Sequence, residues 1–198
     1  MREGFRGKCI VFVCRGTALA VGVKKRYKSC RSWQKDGVMP RKTQLNVHEY
    51  SKDWRARVLA TCGNASFMME DVYFFSIEGF IQGIKYRPFT KRREHAFRSL
   101  QVTAQAIGKK SQRKRIWWKG KEIAYGSKKH KEYIERAFRA RILKDQRAQV
   151  ALAACANVNF VYRPKRDEPR MSLRSAHVSA IFTKLRDELI KTGTLKPR

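Results

Sequence analysis

Three polar side chains recur at i, i+4 and i+7 in the stretch Ser76-Ile77-Glu78-Gly79-Phe80-Ile81-Gln82-Gly83-Ile84-Lys85. On a helix, Glu78, Gln82 and Lys85 fall on one stripe, beside an apolar stripe made by Ile77, Phe80, Ile81 and Ile84. Ser76 has the chemistry of an N-cap, which puts Glu78 in the first turn. A carboxylate held there beside an amide and an ammonium can stabilise a developing cation or activate water. Lys85 could hold a phosphate or ion-pair with Glu78, and Gln82 and Lys85 also suit a solvated face. A first-turn Glu favours the helix dipole whatever the protein does. Trp117 and Trp118 form the second candidate pair. Their rings could stack on a base or a nicotinamide-like ring, or fill the core.

These side chains sit in a strongly basic chain. Its 198 residues carry 46 Lys+Arg against 16 Asp+Glu, a formal charge of +30. Self-repulsion at that charge is costly to a compact fold, and DNA or RNA is the partner that most readily neutralises it. The charge is concentrated. Residues 1–43 hold 12 Lys+Arg and 2 acids, and residues 109–144 hold 14 Lys+Arg and 3 acids. Within the first segment, Lys24, Lys25, Arg26 and Lys28 surround Tyr27, which suits phosphate contact plus stacking, and suits a solvated tail equally. Within the second, Lys109, Lys110, Arg113, Lys114 and Arg115 form a candidate nucleic-acid-binding cluster. No stretch approaches the roughly 20 apolar residues of a membrane span, so no membrane partner is expected.

Cys9, Cys14, Cys30, Cys62 and Cys155 are scattered, with no C-x-x-C pair and no His placed to complete a zinc site. No metal and no cofactor are expected, and an odd, unpatterned set of thiols fits a reducing compartment. Near the N-terminus, Arg15 interrupts the apolar run Cys9–Cys14. A strand pair over 9–13 and 17–23, turning at Arg15-Gly16, is expected there in preference to a targeting signal.

The elements that must position the candidates follow from periodicity. Residues 1–43 read as a basic extension whose part 24–43 is an irregular connector, and 44–198 as one domain. Strand propensity marks 67–75, followed by the helix that Ser76 opens. A second helix is expected over 91–107, with Phe97, Leu100, Ala104 and Ile107 inward and Gly108 as its stop. Two strands follow around Lys119-Gly120, covering 115–118 and 121–125. Further helices are expected over about 128–143, with Tyr133, Ile134, Ala137 and Phe138 inside, and 145–155. A short strand over 157–162 precedes a last helix from Ser175, with Val178, Ile181, Phe182, Leu185 and Leu189 on one face. Helices dominate a few short strands, so the fold class is α+β.

Several motifs in order carry a resemblance. Leu45-Asn46-Val47, Val58-Leu59, Phe67-Met68-Met69-Glu70-Asp71-Val72 and Ser76-Ile77-Glu78-Gly79-Phe80-Ile81-Gln82-Gly83-Ile84-Lys85-Tyr86 are similar to the NADAR (NAD and ADP-ribose) superfamily, in its bacterial and phage branch. So are Trp117-Trp118-Lys119-Gly120-Lys121, Tyr125-Gly126-Ser127, Ile134-Glu135-Arg136-Ala137, Ala151-Leu152-Ala153-Ala154 and Ile181-Phe182-Thr183-Lys184-Leu185-Arg186-Asp187-Glu188-Leu189. The resemblance covers about 44–190. It implies an α+β fold with a pocket for ADP-ribose-like groups and N-glycosidic hydrolysis of ribosyl compounds, with Glu78 at the position of the family's glutamate. Breaking a ribosyl C–N bond develops oxocarbenium character, which a carboxylate can stabilise or quench through water. There Gln82 would hold a ribose hydroxyl or the water, Lys85 a phosphate, and Trp117 or Trp118 a ring. Two departures accompany the match. The family's L-S-N-F-like segment reads Leu59-Ala60-Thr61-Cys62-Gly63-Asn64, and its D-x-x-W-G element is not evident, Asp167 having no following Trp.

The expectation is therefore an N-glycosidase-type domain acting on a ribosyl or ADP-ribosyl substrate and recruited to nucleic acid by its basic surface. The alternative is a catalytically inactive structural component packed on DNA or RNA among the other proteins of a virion or ribonucleoprotein. A sensor that binds ADP-ribose without cleaving it is the third reading. The expected location is cytoplasmic, meaning the host cytoplasm or the virion for a phage protein.

Overall fold

Helical periodicity is the strongest signal in the chain, and seven helices with six short strands are what it forms among the described residues. The computed structural model describes residues 43–60, 65–111, 114–163 and 175–196. The strand pair expected over 9–23, the connector through residue 42, and the candidates Lys24, Lys25, Arg26, Lys28 and Arg113 lie outside them.

The order is β1 (Thr43–Asn46), α1 (Trp54–Leu59), β2 (Phe67–Met69), β3 (Val72–Phe74), α2 (Ile77–Gly83), α3 (Lys91–Phe97), α4 (Gln101–Lys109), β4 (Arg115–Trp118), β5 (Lys121–Ala124), α5 (Lys128–Lys144), α6 (Gln146–Ala153), β6 (Val158–Val161) and α7 (Ser175–Lys191). Among the described residues the strands make three separate pairs and no larger sheet, and the class is α+β. β2 and β3 pair antiparallel through Glu70 and Asp71, whose φ angles of 50° and 66° make the tight turn. β4 and β5 form the second hairpin. β1 pairs parallel with β6, Thr43 opposite Val158 and Asn46 opposite Val161.

The apolar stripes of α2, α5 and α7 bury as their spacing requires. Ile77, Phe80, Ile81 and Ile84, then Tyr133, Ile134, Ala137 and Phe138, then Val178, Ile181, Phe182, Leu185 and Leu189 are all in the core. The aromatic centre is Phe74, with Phe97 at 4.7 Å, Phe80 at 5.2 Å and Trp118 at 5.8 Å between ring centroids.

The single helix expected over 91–107 is two helices. Ser99 breaks it: its backbone carbonyl accepts from the Ser76 hydroxyl at 3.0 Å, and its own hydroxyl turns back to the His95 carbonyl at 2.5 Å. The chain then restarts at Gln101, so Leu100 lies exposed at the N-cap of α4 instead of facing inward. Gly108 sits inside α4 and does not stop it. The helix α1 and the strand β1 come from stretches with no clear periodicity.

Two buried arginines fasten these elements. Arg93 donates from Nη1 to the carbonyls of Tyr86 and Trp117, each at 2.8 Å, tying the end of α2 to β4. Burial pushes its pKa down to about 10. Arg141 of α5 donates to the carbonyls of Val58, Leu59 and Ala60, which are the last acceptors of α1.

Candidate active site

Ser76 begins the site. Its hydroxyl accepts from the Gly79 amide at 2.9 Å, capping α2, and donates to Ser99, fixing α2 against the α3–α4 corner. At Gly83, any Cβ would meet the Phe97 ring at 2.3 Å, so α2 approaches α3 as closely as it does only because no side chain stands there. Glu78 is thereby carried into the interior, with 7% of its surface exposed.

The three polar groups of α2 form a hydrogen-bonded chain. Gln82 Nε2 donates to Glu78 Oε1 at 2.6 Å, and Lys85 Nζ donates to Gln82 Oε1 at 2.5 Å. Each bond orients the next: the ammonium selects the amide oxygen, which leaves the amide nitrogen for the carboxylate. Lys85 is itself buried and lies 5.8 Å from the Tyr125 ring centroid.

Burial holds the Glu78 carboxyl above the usual carboxylate range. The Gln82 hydrogen bond and the Lys85 charge act against that rise, the Glu49 carboxylate adds to it, and a hydrogen bond from Gln105 opposes it. Glu49 lies on the loop after β1 and is held by Gln101 Nε2 at 2.7 Å. Glu78 is therefore flanked by α4 and by this loop as well as by its own helix.

Sequence reasoning missed those flanking residues, and it missed His130. His130 is fully buried near the start of α5, its ring 4.9 Å from that of Tyr125. Its Nδ1 accepts the Gly126 amide proton at 2.8 Å, so the neutral ring carries its proton on Nε2, which has no hydrogen-bond partner. Burial first, then the charges of Lys85 and His177, press its pKa down to about 4. The position of His130 three residues after the N-cap Ser127 was the available signal.

The two tryptophans separate. Trp118 is 1% exposed, enclosed by Phe74, Phe80, Phe97 and Tyr133, with its indole N–H on Glu70 Oε2 at 2.9 Å. It offers no ring face to a ligand, which corrects the expectation that it binds substrate. Trp117, on the opposite face of β4, is half-buried, with its indole N–H on Glu122 at 3.3 Å and the Arg87 guanidinium 6.0 Å from its ring. Lys109, Lys110, Lys114 and Arg115 are exposed between α4 and β4, and Arg115 pairs with Glu122. Among the described residues, no group of three or more His, Cys, Asp or Glu could hold a metal ion, and no helix is long and apolar enough to cross a membrane.

Residues 53–166 match the family model described as Bacteriophage protein GP30.3. Among solved structures, the chain is similar to the NMR structure of the E. coli protein YbiA at 17% identity and a TM-score of 0.58, over 79% of this chain and 90% of that one. That likeness bears out the helix-rich α+β fold expected from the motifs. No curated protein matches the chain.

Proposed function

The chain belongs to the bacteriophage protein GP30.3 family, and on that footing we propose that it is an N-glycosidase-type domain acting on a ribosyl or ADP-ribosyl substrate, recruited to nucleic acid by its basic surface. The observation that carries this reading is the chain Glu78–Gln82–Lys85, with its carboxylate inside the protein and its bonds at 2.6 and 2.5 Å.

Cleaving a ribosyl C–N bond leaves positive charge shared between the anomeric carbon and the ring oxygen. A buried carboxylate interacts with such a cation far more strongly than one in water, because little solvent screens it. Desolvation also makes Glu78 a stronger base, suited to taking a proton from the water that attacks that carbon. Gln82 holds Oε1 and so fixes the plane of the carboxyl. Lys85 is anchored on the same amide and brings a positive charge suited to a substrate phosphate. The exposed Lys109, Lys110, Lys114 and Arg115 suit phosphodiester contact.

The test is incubation of the full chain with ADP-ribosylated DNA and, separately, with ribosyl-pyrimidine phosphates. Release of the free base or sugar by the parent and its loss in Glu78→Gln support the reading. Turnover unchanged in Glu78→Gln overturns it. Absence of turnover on every substrate, with salt-sensitive nucleic-acid binding retained, favours the inactive structural component.

A further inference from the structure

A concavity whose lining does not include Glu78 lies where α1 meets the junction of α5 and α6. It is an open cleft of about 560 Å³. Its polar lining includes Arg57, Arg141, Lys144 and Arg147 with one carboxylate, Asp145, and Trp54 stands in its wall. Trp54 is the first residue of α1 and is 46% exposed, in a protein whose Trp118 is fully enclosed.

The groups divide by what already engages them. Arg141 is spent on the α1 carbonyls and contributes its charge from within the wall. Asp145 Oδ1 accepts the Arg147 amide at 3.0 Å, so the single acid is engaged in capping α6. Arg57 is held at its rim position by Nη1 bonds to the Ser51 and Lys52 carbonyls at 2.8 and 2.9 Å. The side chains of Arg57, Lys144 and Arg147 are exposed. An exposed indole beside three exposed cations matches the chemistry of a nucleotide unit, a flat π-face joined to a phosphate. The volume is in the range of roughly 300–1,000 Å³ in which small groups are enclosed.

We propose that this cleft binds single-stranded nucleic acid, with Trp54 stacking on an unpaired base and Arg57, Lys144 and Arg147 contacting phosphates. A duplex keeps its base faces stacked on one another and cannot present one to Trp54, so the site selects unpaired strands. This deepens the recruitment part of the functional reading above and does not depend on hydrolysis at Glu78.

The test uses the full chain carrying Glu78→Gln, so that binding is read whether or not Glu78 performs chemistry. Binding is measured by fluorescence anisotropy to labelled oligothymidylate, to oligouridylate, to an abasic oligomer of the same length and to the matching duplex. Basic residues elsewhere in the chain contribute alike to the base-bearing and abasic strands, so the preference between them reports stacking. The parent is expected to prefer oligothymidylate or oligouridylate over the abasic oligomer. Trp54→Ala is expected to lower binding of the base-bearing strands by about 5-fold or more, and Trp54→Phe to restore part of it. The combined Arg57→Ala, Lys144→Ala and Arg147→Ala variant is expected to flatten the salt dependence by about 2 in slope. The proposal is overturned if Trp54→Ala leaves the base-bearing strands bound as before, or if the duplex binds as tightly as the single strand and loses as much in that variant.

Discussion

Gln82 occupies the space that a side chain at position 108 would need: a Cβ on Gly108 would lie 1.7 Å from Gln82 Oε1 and 2.4 Å from its Cδ. The amide that orients Glu78 is thus held in place by the bareness of α4 at one turn. Gly108→Ala is expected to push the end of Gln82 aside. The cost falls on a flexible side chain, and alanine in a helix returns about 0.5–1 kcal/mol over glycine. Against that gain stand the buried hydrogen bonds of Gln82 to Glu78 and Lys85, so a net loss of about 1–2 kcal/mol is expected. Losing the Gln82 hydrogen bond removes one of the influences that lower the Glu78 pKa, so that pKa should rise further. Thermal melting and a 13C-carboxyl titration of Glu78 check the two halves separately.

Glu78 makes a stability prediction of definite sign. Its folded pKa lies above its unfolded value, so its contribution is fully present below about pH 4.5 and is lost as pH rises through the folded pKa. Glu78→Gln keeps an acceptor for the Gln82 amide and removes the buried charge. The variant should melt higher than the parent at pH 8, by an amount on the order of 1 kcal/mol, and show little gain at pH 4. Equal melting temperatures at both pH values would contradict the assignment of Glu78 as a desolvated carboxyl.

His130 has the opposite dependence. Its folded pKa of about 4 lies below the usual 6.5, so its contribution is present above pH 6.5 and is lost as pH falls toward 4. Replacement by Gln should remove up to about 3 kcal/mol of pH dependence across that window. Urea denaturation of parent and His130→Gln at pH 7.5 and pH 4.5 measures it, and the difference between the two proteins cancels the contribution of Glu78.

The two adjacent tryptophans should respond very differently. Trp118→Ala empties the space between Phe74, Phe80 and Phe97 and strands Glu70 Oε2, so a loss of about 3–5 kcal/mol is expected. Trp117→Ala removes a half-buried ring and should cost about 1 kcal/mol or less. Denaturant midpoints separate them directly, and similar losses at both positions would show that Trp117 also supports the core.

What the sequence made legible was local. The stripe Glu78, Gln82, Lys85 was read from spacing alone, because three groups on successive turns of one helix need nothing else to meet. The buried faces of α2, α5 and α7 were legible for the same reason. The break at Ser99 was not, since it depends on a hydrogen bond from Ser76, which lies 23 residues earlier. Glu49, Gln105 and His130 join the site from other elements, and their approach is set by how α4, α5 and the loop after β1 pack. Trp117 and Trp118 look identical in the sequence. The strand's alternation places them on opposite faces, and only the position of the core decides which one is enclosed.

The parallel pairing of β1 with β6 has a consequence for the newly made polypeptide. Thr43–Asn46 finds its partner only at Val158–Val161, so during synthesis the first strand waits while roughly 110 further residues are added. At about 5–20 residues per second that interval is on the order of ten seconds. The α2–α3–α4 corner and both hairpins are synthesised before it ends, so the β1–β6 pair closes on elements already made, and only α7 is still to be added.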